Sequence, residues 1–220
     1  MANNPSLNQL LQWSIEHSDS SRNDPTTQPT DQQRDPSRGL NQEMIAQLMG
    51  GPSDADRMRD AMTAIVAPVD QVDLENKLIA WDNLEQLIEQ IDNANNMEPM
   101  GLWAPLIQQL ESEFPECRSM AAWCCSTAVQ NNVKSQERLR ALGGVAKLAN
   151  QAVTDVDKQA RKKAVNALSS QVRNYQPALD ELENALSDDV WKRRGLDAGD
   201  MDAVDELIQT LRDQAAREGA

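Results

Sequence analysis

A chain of 220 residues has room for one extended domain and a tail, but not for two large domains. Only seven residues are aromatic, five of them Trp, and β-branched runs are missing, which excludes sandwiches, barrels and parallel α/β sheets. A formal net charge of −14 repels phosphate backbones and anionic headgroups, so neither nucleic acid nor a membrane is expected as a partner.

The first element is a short amphipathic helix within residues 1–17, where Leu7, Leu10, Leu11, Trp13 and Ile15 are interrupted by Asn and Gln and His17 closes the helix. It lacks a basic leader and a small-residue cleavage site, so it does not read as a secretory signal. Residues 18–40, SDSSRNDPTTQPTDQQRDPSRGL, hold three prolines and almost no apolar side chains. Such a stretch cannot build a core and is expected to be a disordered linker.

From residue 41 to residue 220 the periodicity is helical. EMIAQLMGG ends in a glycine pair suited to a left-handed cap, and PSDADRMRDAMTAIVAP opens on Pro52-Ser53-Asp54 and closes before Pro68. In LIAWDNLEQLIEQI, Leu78, Trp81, Leu84, Leu87, Ile88 and Ile91 recur at steps of three and four, one buried face. Further helices are predicted at about 102–112, 115–131, 133–142, 144–152, 155–173, 177–187 and 200–217. Charge is uneven: residues 41–113 carry fourteen acids against three cations, whereas residues 114–194 carry thirteen cations against nine acids.

Internal repeats decide the architecture. Trp123 aligns with Trp81 at an offset of 42. RSMAAWCCSTAVQNN aligns with RKKAVNALSSQVRNY at 43, pairing Arg118 with Arg161, Ala121 with Ala164, Ser126 with Ser169 and Asn131 with Asn174. A unit of 42–43 residues holding two or three helices lies in the armadillo/HEAT range, so an all-α, right-handed helical solenoid with a flexible N-terminal segment is expected. Gly143-Gly144 suits a sharp turn needing positive φ. Trp81 and Trp123, one repeat apart, are both expected to be buried between repeats.

Chemistry finds little purchase. The carboxylate pairs Asp54/Asp56, Glu181/Glu183 and Asp188/Asp189 lack a companion nucleophile and read as solvated faces. Cys117, Cys124 and Cys125 are spaced Cys-x₆-Cys-Cys without a fourth ligand and read as reduced core thiols. No phosphate loop, dinucleotide fingerprint or nucleophile elbow occurs. The chain is therefore expected to be no enzyme, with no catalytic residues, no metal site and no cofactor. KQARKK (Lys158–Lys163) and WKRR (Trp191–Arg194) suit an acidic protein partner or a solvated face better than nucleic acid. A Trp-and-Asn ladder of the kind that grips basic peptides is missing, because Glu85 and Thr127 follow Trp81 and Trp123 where Asn would stand.

The candidate partner-binding residues are polar side chains recurring at the repeat period: Gln130, Asn131, Asn132, Lys134, Arg173 and Asn174 near helix ends, and Arg118 and Arg161 near helix starts. Solvated helix ends are the alternative reading.

Four stretches resemble a known family: LLQWSIEHSDS, DNANNMEPMGLWAPLIQQL (Asp92–Leu110), AAWCCSTAVQNNVKSQERLRALGGVAKL (Ala121–Leu148) and KAVNALSSQVRNYQPAL (Lys163–Leu179). They are similar to the cytosolic armadillo-type nucleotide exchange factors of the seventy-kilodalton heat-shock protein chaperone, of the fungal Fes type. Cys125-Ser126 and Val165-Asn166 depart from the family's usual residues. The resemblance implies a cytoplasmic, monomeric co-chaperone whose concave face embraces one lobe of the chaperone's ATPase domain, so that ADP and then client are released. It also suggests that Leu7, Leu10, Leu11, Trp13 and Ile15 act as a client mimic. A generic armadillo adaptor without effect on nucleotide is the alternative.

Overall fold

The computed structural model describes residues 51–217, so the expected N-terminal helix, the linker and the client-mimic residues lie outside the described residues. The chain divides after Ser53, and every element below belongs to the second unit, Asp54–Ala220. Among the described residues there are ten α-helices: α1 Asp54–Val66, α2 Leu74–Ile88, α3 Ile91–Asn96, α4 Trp103–Gln108, α5 Pro115–Val129, α6 Val133–Ala141, α7 Gly144–Thr154, α8 Lys158–Val172, α9 Gln176–Ala185 and α10 Met201–Ala216. A 3₁₀ turn, Gln109–Glu111, extends α4. The fold is all-α, an armadillo-like helical solenoid.

Helix starts are written in the local sequence. Asp73, Asp157 and Asp200 cap α2, α8 and α10 by accepting backbone N–H bonds from Asn76, Ala160 and Ala203 at 2.9, 2.8 and 3.1 Å. Pro115 opens α5 instead, where its missing N–H costs nothing. Helices α3–α4–α5 and α6–α7–α8 form two complete three-helix repeats. The third helices begin at 115, 158 and 201, so α10 falls on the same 43-residue period. The middle helix of that last repeat is replaced by the segment 186–200. Its backbone is held by buried Glu183, which accepts from Gly195 N–H at 2.8 Å and Leu196 N–H at 3.3 Å. Gln176 adds bonds to Leu196 and Ala198 at 2.8 Å.

Third helices pack side by side in the row α2, α5, α8, α10. Their contact layer repeats with the sequence. Cys117, Ala121, Ala122, Cys124, Cys125, Ala128 and Val129 on α5 are buried, as are Ala160, Ala164, Val165, Ala167, Leu168, Gln171 and Val172 at the 43-residue offset on α8. Small side chains here let the helix axes approach closely. Larger residues fill the space towards the other helices, including Trp81, Leu84, Trp103, Leu106, Leu139 and Leu148.

Trp123 corrects an expectation. Trp81 is fully buried, but Trp123 is only half-buried, and its ring lies under the Lys163 ammonium. Its neighbours Ala121, Ala122 and Cys124 are buried instead, so Trp123 stands outside the buried stripe in which the 42-residue alignment with Trp81 places it. The 43-residue alignment places Cys124, not Trp123, opposite Ala167 in the next repeat.

The two repeated arginines are staples. Arg118 binds Asp155 of the next repeat through Nε and Nη2 at 2.7 and 2.8 Å and donates to the Ser112 carbonyl at 2.9 Å. Arg161 donates to the carbonyls of Asp155 at 2.6 Å, Val156 at 3.2 Å, Ala215 at 3.1 Å and Arg217 at 2.7 Å. Each therefore ties the loop before its own helix, Ser112 or Asp155 at the 43-residue offset, to the following repeat. No helix of the described residues is long and apolar enough to cross a membrane.

Candidate partner-binding groove

Helices α5 and α8 end in the same way. Asn131 and Asn174, 43 residues apart, adopt positive φ of 53° and 56°, the left-handed conformation that Asn tolerates better than most residues. Each turn leaves a polar pair beside the helix end, Gln130-Asn131 on α5 and Arg173-Asn174 on α8. These four residues line one groove together with Val133, Gln136, Ser169 and Ser170. Gln130 and Asn131 also line an adjoining groove formed with Glu85, Glu89, Trp123, Ser126 and Thr127. The two depressions run across α2, α5 and α8, the exposed side of the third-helix row.

The groove is cross-braced by polar contacts between repeats. Thr127 donates to Glu85 Oε1 at 2.7 Å, and the Ser126 and Ser170 hydroxyls lie 3.3 Å apart. Arg173 pairs with Asp205 on α10 and donates to Ser169 Oγ at 3.3 Å. Beneath the floor, Gln136 Nε2 donates to the Ser170 carbonyl at 3.0 Å and Gln171 Nε2 returns a bond to the Gln136 carbonyl at 2.8 Å. Lys163 stands over Trp123, and burial draws its pKa below the ordinary lysine value against the pull of Glu85.

Of the eight candidate residues, the groove collects Gln130, Asn131, Arg173 and Asn174. Lys134 is exposed but lines a separate pocket with Ala94, Glu98, Pro99, Trp103 and Arg138. Asn132 is buried and caps α6, its side chain accepting from Ser135 N–H at 3.3 Å. Arg161 is 2% exposed and committed to carbonyls, and Arg118 is committed to Asp155, both at the far end of their helices, roughly 18 Å from Gln130 or Arg173 at 1.5 Å per residue. Burial therefore keeps the Arg161 and Asn132 side chains off the exposed lining of the groove. Sequence reasoning missed Glu85, Glu89, Trp123, Ser126, Ser169 and Ser170. The available signal was the 43-residue offset that pairs Ser126 with Ser169, read on the exposed side of the third helices.

The three cysteines are free and buried. Burial pushes the Cys125 thiol up to about 12 and raises Cys124 well above its ordinary value, so neither holds a thiolate near neutral pH. Among the described residues, no cluster of His, Cys, Asp and Glu could hold a metal ion. In the second basic run, Arg193 pairs with Glu206, and Arg194 with Asp188 at 3.0 Å.

A family model described as nucleotide exchange factor Fes1 matches residues 7–97. The Hsp70 nucleotide exchange factor FES1 of Gibberella zeae is 49% identical over 215 residues, covering 97% of this chain and 98% of that protein. The protein of the same name from Coccidioides immitis is 47% identical over 208 residues, covering 94% and 97%. The Hsp70 nucleotide exchange factor fes-1 of Neurospora crassa is 45% identical over 239 residues, covering 95% and 97%. Among solved structures, the crystal structure of an engineered protein superposes with a TM-score of 0.52 at 15% identity, over 78% of this chain and 70% of that one. That likeness shows the fold alone.

Proposed function

This chain belongs to the Fes1 family of nucleotide exchange factors, and we propose that it binds the nucleotide-binding domain of Hsp70, promotes ADP release and thereby releases the bound client. The observation that carries this reading is the identity of 49% to a named Hsp70 exchange factor over 97% of the chain. No chemistry is required of the protein. A partner that binds the nucleotide-free chaperone more tightly than the ADP-bound form weakens ADP binding by the same factor.

The contact surface we assign is the groove holding Gln130, Asn131, Arg173 and Asn174. Exposure of Gln130, Asn131 and Asn174, the half-buried place of Arg173 beside them, and the recurrence of the pair on adjacent helices support it. Within the same reading, residues 18–40 are a linker, and Leu7, Leu10, Leu11, Trp13 and Ile15 are a client-like segment that competes for the chaperone's peptide site. The protein works as a monomer in the cytoplasm and is not an enzyme.

Release of a fluorescent ADP analogue from Hsp70 tests the function. Acceleration by the full chain is the expected result, and an unchanged release rate alongside tight binding identifies a plain armadillo adaptor. Arg173→Glu is expected to lower affinity for Hsp70 at least tenfold with an unchanged helical spectrum. Unchanged affinity takes Arg173 out of the surface.

A further inference from the structure

The α2 side of the groove is charged in a way that its own residues do not balance. Glu85 and Glu89 line it, and Asp82 sits one turn before Glu85 on the same helix. Asp82 and Glu89 are exposed, and neither has an ion-pair partner among the described residues. From α5 the groove receives Trp123, Ser126 and Thr127, none of them charged. Among the described residues the cation facing this end is Lys163 of α8, and its ammonium lies over the Trp123 ring while interacting with Glu85. An aromatic ring that shares a groove with two carboxylates is a site for a cation, and the chain occupies it with its own lysine.

A lysine holds such a site loosely. Its ammonium is compact and strongly hydrated, and here it is partly stripped of water. A guanidinium is planar and weakly hydrated, stacks on an indole, and offers donors to two carboxylates at once. We infer that Trp123 is the landing site for an arginine of the chaperone, which displaces Lys163 from the ring and pairs with Glu85 and Glu89. Lys163 is then a placeholder that keeps the ring covered and the carboxylates partly balanced until the partner arrives. The inference rests on the groove being the face that meets Hsp70. It adds the chemical class of the contact, a basic side chain received at the α2–α5 end.

Calorimetric titration of the full chain into the Hsp70 nucleotide-binding domain, at low and high salt, tests it. Glu85→Gln/Glu89→Gln is expected to bind at least tenfold more weakly and to lose most of the salt dependence. Lys163→Met, which uncovers the ring and leaves the carboxylates unopposed, is expected to bind at least threefold more tightly. Glu89 is exposed, so Glu89→Gln alone, with an expected threefold loss, keeps the test open should the double variant fold poorly. Binding of the carboxylate variants within twofold of wild type overturns the inference. So does a Lys163→Met variant that binds more weakly, because Lys163 is then itself the contact. If these variants match the wild type in accelerating ADP release, the exchange function stands and the arginine site falls. A wild-type chain without effect on ADP release overturns the function as well.

Discussion

Trp81 and Trp123 share a residue type and a near-equal place in the repeat, yet their environments differ. Trp81 is fully buried, so Trp81→Ala removes a large contact area and leaves a cavity, an expected loss of about 3–5 kcal/mol in urea unfolding. Trp123→Ala is expected to cost no more than about 1.5 kcal/mol, since its half-exposed ring gives up mainly the Lys163 contact. Equal losses would mean that the outer indole carries core energy after all. Asp155 supplies a pH signature. Burial alone raises its carboxyl pKa, but the two-point bond from Arg118 and the Asp157 N–H bond outweigh burial and hold it below its ordinary 3.8. A depressed acid contributes stability that is complete above its unfolded pKa and is lost as pH falls through its folded one. Unfolding free energy should therefore decline below about pH 4, and Asp155→Asn should flatten that decline while lowering stability at pH 7. An unaltered slope in the variant would assign acid sensitivity to other carboxylates.

At the scale of elements, the glycine pair between α6 and α7 does two jobs. Gly143 has φ of 72°, the left-handed turn that the sequence suggested. Gly144 has ordinary φ but no room, since a Cβ there would collide with Leu139 Cδ1 and meet the Leu139 carbonyl oxygen at 2.9 Å. Gly143→Ala is expected to cost about 1 kcal/mol in backbone strain. Gly144→Ala should cost more, roughly 2–3 kcal/mol, because a buried leucine and the backbone must shift. Thermal melts of the two variants decide the order, and a milder effect at Gly144 would show that the Leu139 contact relaxes easily. The missing middle helix after α9 follows the same logic of local chemistry. Residues 186–200 include Gly195, at φ of 75°, and Gly199, and the Glu183 carboxylate rather than a helical ladder satisfies the backbone there.

For the whole molecule, the row of third helices separates two tasks that one motif had merged. Arg118 and Arg161 recur because every repeat must be tied to the next, whereas Gln130-Asn131 and Arg173-Asn174 recur because equivalent turns set polar groups beside the helix ends. The proposed tail function is separable as well. Deleting residues 1–40 is expected to leave ADP release nearly intact while slowing release of tightly bound client peptides, most clearly at low ATP. Equal loss of both activities would place the tail on the exchange surface, and loss of neither would remove the client-mimic role.

Helix content, the 43-residue period, most helix starts and the resemblance to an exchange-factor family were all determined by the sequence alone. Periodic burial, Asp and Pro starts and glycine turns are local or repetitive, so they leave a readable trace along one chain. Sequence did not distinguish a recurring arginine that braces repeats from one that meets a partner. Nor did it show that Trp123 faces outward or that Lys163 covers it. Those outcomes depend on which side of a helix its neighbours occupy. A shift of one residue turns a side chain by about 100° around the helix axis, so the difference between offsets of 42 and 43 decides core or groove. Only the packing of α2, α5, α8 and α10 against one another settles that phase, and with it the place where Glu85, Trp123 and Lys163 meet.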